Sequence, residues 1–187
     1  RDDDAWSMKR IIRRIVLSAA YRQSAVTGRA KRVRDPGNAY YARGPSNRLV
    51  AELVRDNALA ISGLLSGKML GPPVRPVQPD KVWRVIGEVD NTYYLSEGED
   101  LHRRGIYTLW RRSAHYPSFA NFDAPNRGAC TVMRQSSNTP LQALTLMNDP
   151  SYVEMARAFA ARIQQETEDM DATMSLAHAF RMALCRH

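Results

Sequence analysis

Apolar residues recur at three- and four-residue spacings over several stretches of this chain, the period of amphipathic helices. The first stretch predicts a helix over 8–21, with Ser7 as its N-cap and an apolar stripe of Ile11, Ile12, Ile15, Val16 and Ala19. Arg10, Arg13 and Arg14 lie off that stripe. The second predicts a helix over 47–66, capped by Ser46, with Leu49, Val50, Leu53, Val54, Ile61, Leu64 and Leu65 as its apolar set. Gly67 and Gly71 offer it an end, and Pro72-Pro73 forbids continuation. The last third predicts helices over 140–147, 150–166 and 171–185. Tyr152, Met155, Ala156, Phe159, Ala160 and Ile163 form one stripe there, and Met174, Ala177, Phe180, Met182 and Leu184 another.

The corner between the first two of these helices is spelled out by capping residues. Thr139 is a good N-cap, Pro140 fills the first helical position, and Gln142 three residues later completes a capping box. Asp149 and Pro150 repeat that grammar, with Glu154 near the positive end of the next helix dipole. Asn138, Asn148 and Asp149 are the polar residues of this corner, and punctuation explains them better than a site does.

Between the helices the chain is irregular. Residues 23–47 read as loop, with a turn at Asp35-Pro36-Gly37-Asn38 and the pair Tyr40-Tyr41 packed on some surface. Prolines 72, 73, 76 and 79 favour extended backbone through the middle of the chain. A small hairpin is predicted from Lys81–Ile86 and Tyr93–Leu95, turning at Asp90-Asn91. Arg103–Arg112 reads as a short helix or strand with an aromatic face, followed by a long irregular stretch over 113–138. A loop of that length is functional or is held down by side chains. The fold class is therefore mainly α: one irregular helical domain over 1–187 with a Pro-rich, loop-rich middle and one small β-hairpin.

Charge changes this picture. The net charge is +8, and only Lys9, Lys31, Lys68 and Lys81 are lysines among 27 basic residues. Residues 1–134 carry 23 basic and 13 acidic side chains, and residues 135–187 carry 4 and 6. Such an asymmetry suits an anionic partner. No helix-turn-helix, zinc-finger or RNA-binding signature accompanies it, which weighs against nucleic acid. No apolar run approaches the ~20 residues that span a membrane. Cys130 and Cys185 are too few for a disulfide framework, and one bridge between them stays open. The chain opens on Arg1-Asp2-Asp3-Asp4 and stops at Cys185-Arg186-His187 without a helix stop, which reads as a fragment of a longer protein.

Candidate chemistry is sparse. No phosphate loop, nucleophile elbow or paired-carboxylate signature occurs. His102, His115, His178 and His187 show no i,i+4 metal spacing, so no metal is expected. Met69, Met133 and Met174 are expected to pack in the core rather than ligate haem. The candidate binding cluster is Arg103, Arg104, Arg111, Arg112, Asp123, Arg134 and Asn138, with Tyr107, Trp110 and Phe122 as stacking faces. Arginine forks recognise carboxylates, phosphates and sulfates in bidentate fashion. The structural alternative is that Asp123 pairs with Arg134 or Arg104 and pins the 113–138 loop.

Several segments, taken in order, resemble one family. They are Trp6–Lys9 with Ile15–Ser24, Leu53–Asp56 with Ala60–Gly63, Arg103–Arg112, Phe122–Pro125 with Cys130–Val132, and Asn138–Leu144. Their order and spacing are similar to the C-terminal domain of unknown function, the PSD1 domain, of planctomycete-type multi-domain proteins. The resemblance covers nearly the whole chain, and the Phe122–Pro125 and Asn138–Leu144 runs are its most specific parts. Gly105 stands where such relatives more often have Ser, and Gly128-Ala129 where they have a more polar pair. The resemblance implies context more than chemistry: an exported, extracytoplasmic protein, often with a cytochrome-c-like domain upstream that would hold haem. No cofactor is expected within this chain.

The reading that follows is a non-catalytic interaction module at the C-terminus of an exported multi-domain protein, linked to electron transfer or polysaccharide handling. Its expected partners are the upstream domains of the same polypeptide and an anionic polysaccharide or an acidic protein. The alternative is a hydrolytic enzyme domain that acts on an anionic glycan through the Arg/Asp cluster.

Overall fold

A computed structural model describes residues 7–83 and 92–185. Among them are seven α-helices and no sheet, so the mainly α expectation holds. The helices are α1 (Met8–Leu17), α2 (Arg29–Arg34), α3 (Ala51–Ser62), α4 (Pro117–Asn121), α5 (Pro140–Asn148), α6 (Pro150–Glu166) and α7 (Ala172–Leu184). A 3₁₀ turn, Gly105–Tyr107, stands where a short helix or strand was expected over Arg103–Arg112, and another, Gly98–His102, precedes it. The predicted hairpin runs across residues 84–91, which lie outside the described residues.

The chain forms two compact units, one ending at Arg48 and one beginning at Leu49. The first carries 12 basic and 4 acidic residues, and the second 15 of each, so the whole net charge of +8 belongs to the first. In that first unit, α1 ends four residues before the predicted boundary because Ser18 turns extended. Its hydroxyl bonds the Ile15 carbonyl at 2.8 Å and closes the helix. The turn after α2 is stapled by side chains. Asp35 accepts from the Ala39 and Tyr40 N–H groups at 2.8 and 3.0 Å, and Arg43 donates to the Asp35 and Pro36 carbonyls. Tyr40 and Tyr41 do not pack as expected; both are well exposed.

The second unit is organised on α3. The helix starts at Ala51 behind Val50, not behind Ser46, and ends at Gly63, whose φ of +79° lets the Leu64 and Leu65 N–H groups fold back on the Leu59 carbonyl. Its buried residues are Ala51, Arg55, Leu59 and Ser62. Leu49, Val50 and Leu53, expected inside, are exposed. Two small apolar clusters flank this face. Ala51, Tyr116, Phe119 and Phe122 form one, and Leu59, Tyr152 and Met155 the other, with Val54 against both.

A guanidinium joins them. Arg55 is only 2% exposed; it donates to Ser151 Oγ at 2.9 Å and to the Leu101 carbonyl at 2.7 Å, 5.9 Å from the Tyr116 ring centre. Asp149, also buried, supplies opposite charge from the N-cap of α6, where it accepts the Ser151 N–H at 2.9 Å. Burial pushes its carboxyl above the ordinary value, and Arg55 offsets only part of that. Tyr152 is pushed up to about 12 by the same burial, its hydroxyl 3.0 Å from Ser118.

The Thr139 box forms mainly through its glutamine. Gln142 Oε1 accepts the Thr139 N–H at 3.0 Å, and Nε2 donates to the Asn121 carbonyl at 2.9 Å and Ser137 Oγ at 3.2 Å. The Gln142 N–H in turn goes to the Thr139 side chain, closing the box, and lies 3.1 Å from the Thr139 carbonyl. The α6 boundaries match expectation, and those of α5 and α7 fall within one residue of it. α7 contributes no buried residue. It is tied to α6 by His178 Nε2 on Glu166 at 2.9 Å, and its own N-cap is Asp171.

Arg55→Met should lower stability by about 3–5 kcal/mol, because Ser151 Oγ and the Leu101 carbonyl keep their burial and lose their donor, and Asp149 loses its opposite charge. A urea midpoint shifted by less than a surface substitution shifts it would refute that role. Thr139→Ala should cost about 1 kcal/mol through the lost cap, and Gln142→Ala about 2–3, since the glutamine also satisfies the Asn121 carbonyl. The reverse order in a denaturant series would show that the hydroxyl carries the cap.

Candidate functional site

The ten candidate residues divide among separate tasks, most of them internal. Arg103 is fully buried. It donates to the Leu70 and Pro72 carbonyls and lies 3.9 Å over the Tyr107 ring. Tyr107 in turn accepts the Leu70 N–H at 2.8 Å. This pair clamps the 69–72 segment, where Leu70 and Gly71 are left-handed and the Leu70 and Pro72 carbonyls face Arg103. Met69 is exposed at its edge, as are Met133 and Met174, so none of the three packs in the core as expected.

Gly105, between Arg103 and Tyr107, has a specific reason to be glycine. A Cβ there would meet the Glu52 backbone at 3.0–3.1 Å, and its N–H donates to Asp56 Oδ1 at 2.6 Å. α3 and the second 3₁₀ turn thus touch backbone to backbone.

Asp123 and Arg134 do not meet. Arg134 forks onto Glu52 of α3, Nη1 to Oε2 at 2.7 Å and Nη2 to Oε1 at 3.1 Å. Asp123 takes the Ser137 N–H at 2.7 Å and its hydroxyl at 2.8 Å, in a left-handed backbone conformation with φ of 62°. The 113–138 loop is therefore anchored as expected, but by a serine and by α3, not by an Asp123–Arg134 or Asp123–Arg104 pair. Phe122 is core, packed with Phe119 and Tyr116. Trp110 is half-buried against that cluster, and Arg111 covers the Trp83 ring at 5.0 Å. Arg104, Arg112 and Asn138 are exposed.

A residue not among the ten completes a concave feature near this cluster. Arg127, left-handed at φ 58°, lays its guanidinium over Trp110 at 4.2 Å. With Arg134 it lines an open cleft of about 430 Å³, whose other walls are Pro125, Gly128, Ala129, Cys130 and Thr131. Burial works to raise the Glu52 carboxyl, yet the Arg134 fork, with Arg127 further off, holds it below the ordinary value. One carboxylate therefore faces two guanidiniums, and no carboxylate lines the cleft. Cys130 and Cys185 are both free and exposed. Among the described residues no three His, Cys, Asp or Glu side chains gather as metal donors, and no helix is long and apolar enough to cross a membrane.

Sequence reasoning missed Arg55, Glu52 and Arg127. Arg55 did carry a signal: it falls at i+4 between Ala51 and Leu59, inside the buried stripe. Arg127 carried none.

These features define a helical domain most of whose candidate cluster holds loops in place, with a basic cleft beside it. The chain belongs to the PSD1 family, described as a protein of unknown function (DUF1553), whose family model matches residues 2–187. No curated protein matches the chain, and neither does any solved structure.

A depressed carboxyl contributes stability that is present above its ordinary value, 4.5 for Glu52, and is lost as pH falls through the folded value. Arg134→Ala should thus cost roughly 0.5–1 kcal/mol at neutral pH, modest because the guanidinium is partly exposed. The gap to the parent protein should close below pH 4.5. Denaturation at several pH values checks this; a gap independent of pH would mean that packing, not charge, holds the loop.

Proposed function

We propose that this chain is a non-catalytic interaction module of an exported multi-domain protein, and that its cleft takes an anionic group of a polysaccharide or an acidic protein. The observation that carries the reading is the charge of that cleft: Arg127 and Arg134 line it, and Glu52 neutralises only one of them. Bidentate guanidinium recognition suits a carboxylate or sulfate. Export, neighbouring upstream domains, and a link to electron transfer or polysaccharide handling are supported by the sequence resemblance alone. Haem belongs to an upstream domain in this reading.

The hydrolase alternative needs an acid and a base converging on one concave site. Asp123 spends its carboxylate on Ser137, and the cleft lining holds neither acid nor imidazole. That arrangement favours binding over turnover.

Calorimetric titration with a heparin oligosaccharide should show binding that weakens with salt, because exposed charges are screened over about 8–10 Å at physiological ionic strength. Arg127→Ala should weaken it at least about tenfold, near 1.4 kcal/mol, while Asp123→Asn leaves affinity unchanged. Equal affinity for Arg127→Ala would remove the cleft from the reading. New reducing ends that appear with the parent protein and vanish with Asp123→Asn would establish the hydrolase instead.

A further inference from the structure

α1 joins a cationic face to an exposed apolar one. Its ten residues hold four cations, Lys9, Arg10, Arg13 and Arg14, and no acid. At about 100° per residue, Met8, Ile11, Ile12, Ile15 and Val16 fall on one arc and the four cations on the opposite one. None of these residues is buried, and the apolar ones are 38–76% exposed. The cationic face forms a shallow groove of about 390 Å³, lined by Arg10, Arg13, Arg14, Leu17 and Ser18. The same unit adds Arg29, Lys31, Arg32 and Arg34 on α2, and it carries all of the chain's net charge.

We propose that α1 lies in the surface of an anionic phospholipid bilayer, its isoleucine arc in the headgroup–acyl boundary and Lys9 and Arg13 on lipid phosphates. This goes beyond the cleft reading and does not depend on it. Two features select a lipid surface over other anions. A nucleic-acid duplex offers phosphates but no apolar layer for Ile11, Ile12 and Ile15. An interfacial helix needs the combination present here: a strongly segregated apolar face, a Lys/Arg-rich polar face and low overall hydrophobicity. The cations on α2 of the same unit add attraction that decays within a Debye length of the surface.

The test is co-sedimentation of the full chain with phosphatidylcholine vesicles, with and without phosphatidylglycerol. The chain should pellet with the mixed vesicles and stay in solution with phosphatidylcholine alone. Lys9→Glu with Arg13→Glu should weaken the binding at least about tenfold, as expected of charges near an anionic surface. Ile11→Gln with Ile15→Gln should do the same while keeping every charge and a good helix former at each position. Because α1 contributes no buried residue, unchanged melting curves should accompany both variants. Full retention of vesicle binding by the Ile→Gln variant would overturn the proposal in favour of general basicity. So would equal binding to uncharged vesicles, or a parent chain that remains in the supernatant. Tighter binding to duplex DNA than to mixed vesicles, insensitive to the Ile→Gln change, would assign the helix to nucleic acid instead.

Discussion

The second unit depends on a charge held inside it. Arg55 sits at the middle of α3 where an aliphatic residue would ordinarily lie, and it reaches three segments that are far apart in sequence. Its donors end on Leu101 and Ser151, and its plane lies near Tyr116. Taking a guanidinium out of water is costly, and its Nε finds no acceptor. What offsets that cost is geometric: the donors meet a carbonyl and a hydroxyl at once, and the charge of Asp149 acts on the guanidinium. The two apolar clusters are too small to fix the loops between them, so the fork defines how α3, α6 and the 98–102 turn meet.

The same device recurs wherever the backbone is irregular. Arg103 satisfies the Leu70 and Pro72 carbonyls, Arg162 the Ile61 carbonyl at 2.9 Å, and Arg43 those of Asp35 and Pro36. Tyr116 and Tyr93 do likewise for Val77 and Pro76, at 2.9 and 2.7 Å. A fold without a sheet leaves many carbonyls outside any ladder, and each buried one needs a donor. Arginine carries five N–H donors in a rigid plane and never loses its charge, so it serves this purpose better than lysine. The preference for arginine over lysine thus has a structural use in both units.

Legibility followed the range of the interactions. The α5–α6 corner was readable because Thr139, Pro140, Gln142, Asp149 and Pro150 act within a turn of where they stand. The face of α3 was misread because Leu49, Val50 and Leu53 outweigh Ala51 and Ser62 in hydropathy, while the buried position between them is an arginine. α2 and α4 are six and five residues long, too short to show a period. Of the candidate cluster, Arg103 and Tyr107 do meet, four residues apart, but they face inward. The partner of Arg134 lies 82 residues away, and nothing local in either segment announces Glu52. The Leu53–Asp56 run that carries the family resemblance contains two of the connectors, Arg55 and Asp56, whose roles appear only once Ser151, Leu101 and Gly105 are in place.

α7 has a different standing from the rest of its unit. It brings nothing to either apolar cluster, and its lateral tie to α6 is a solvent-exposed imidazole–carboxylate contact. Cooperativity requires that an element lose buried contacts when its neighbours unfold, and α7 has few to lose. Its amides would exchange with solvent through a local opening rather than through global unfolding. A single melting midpoint would then describe the block from α3 to α6 and say little about whether the last helix was attached when that block came apart.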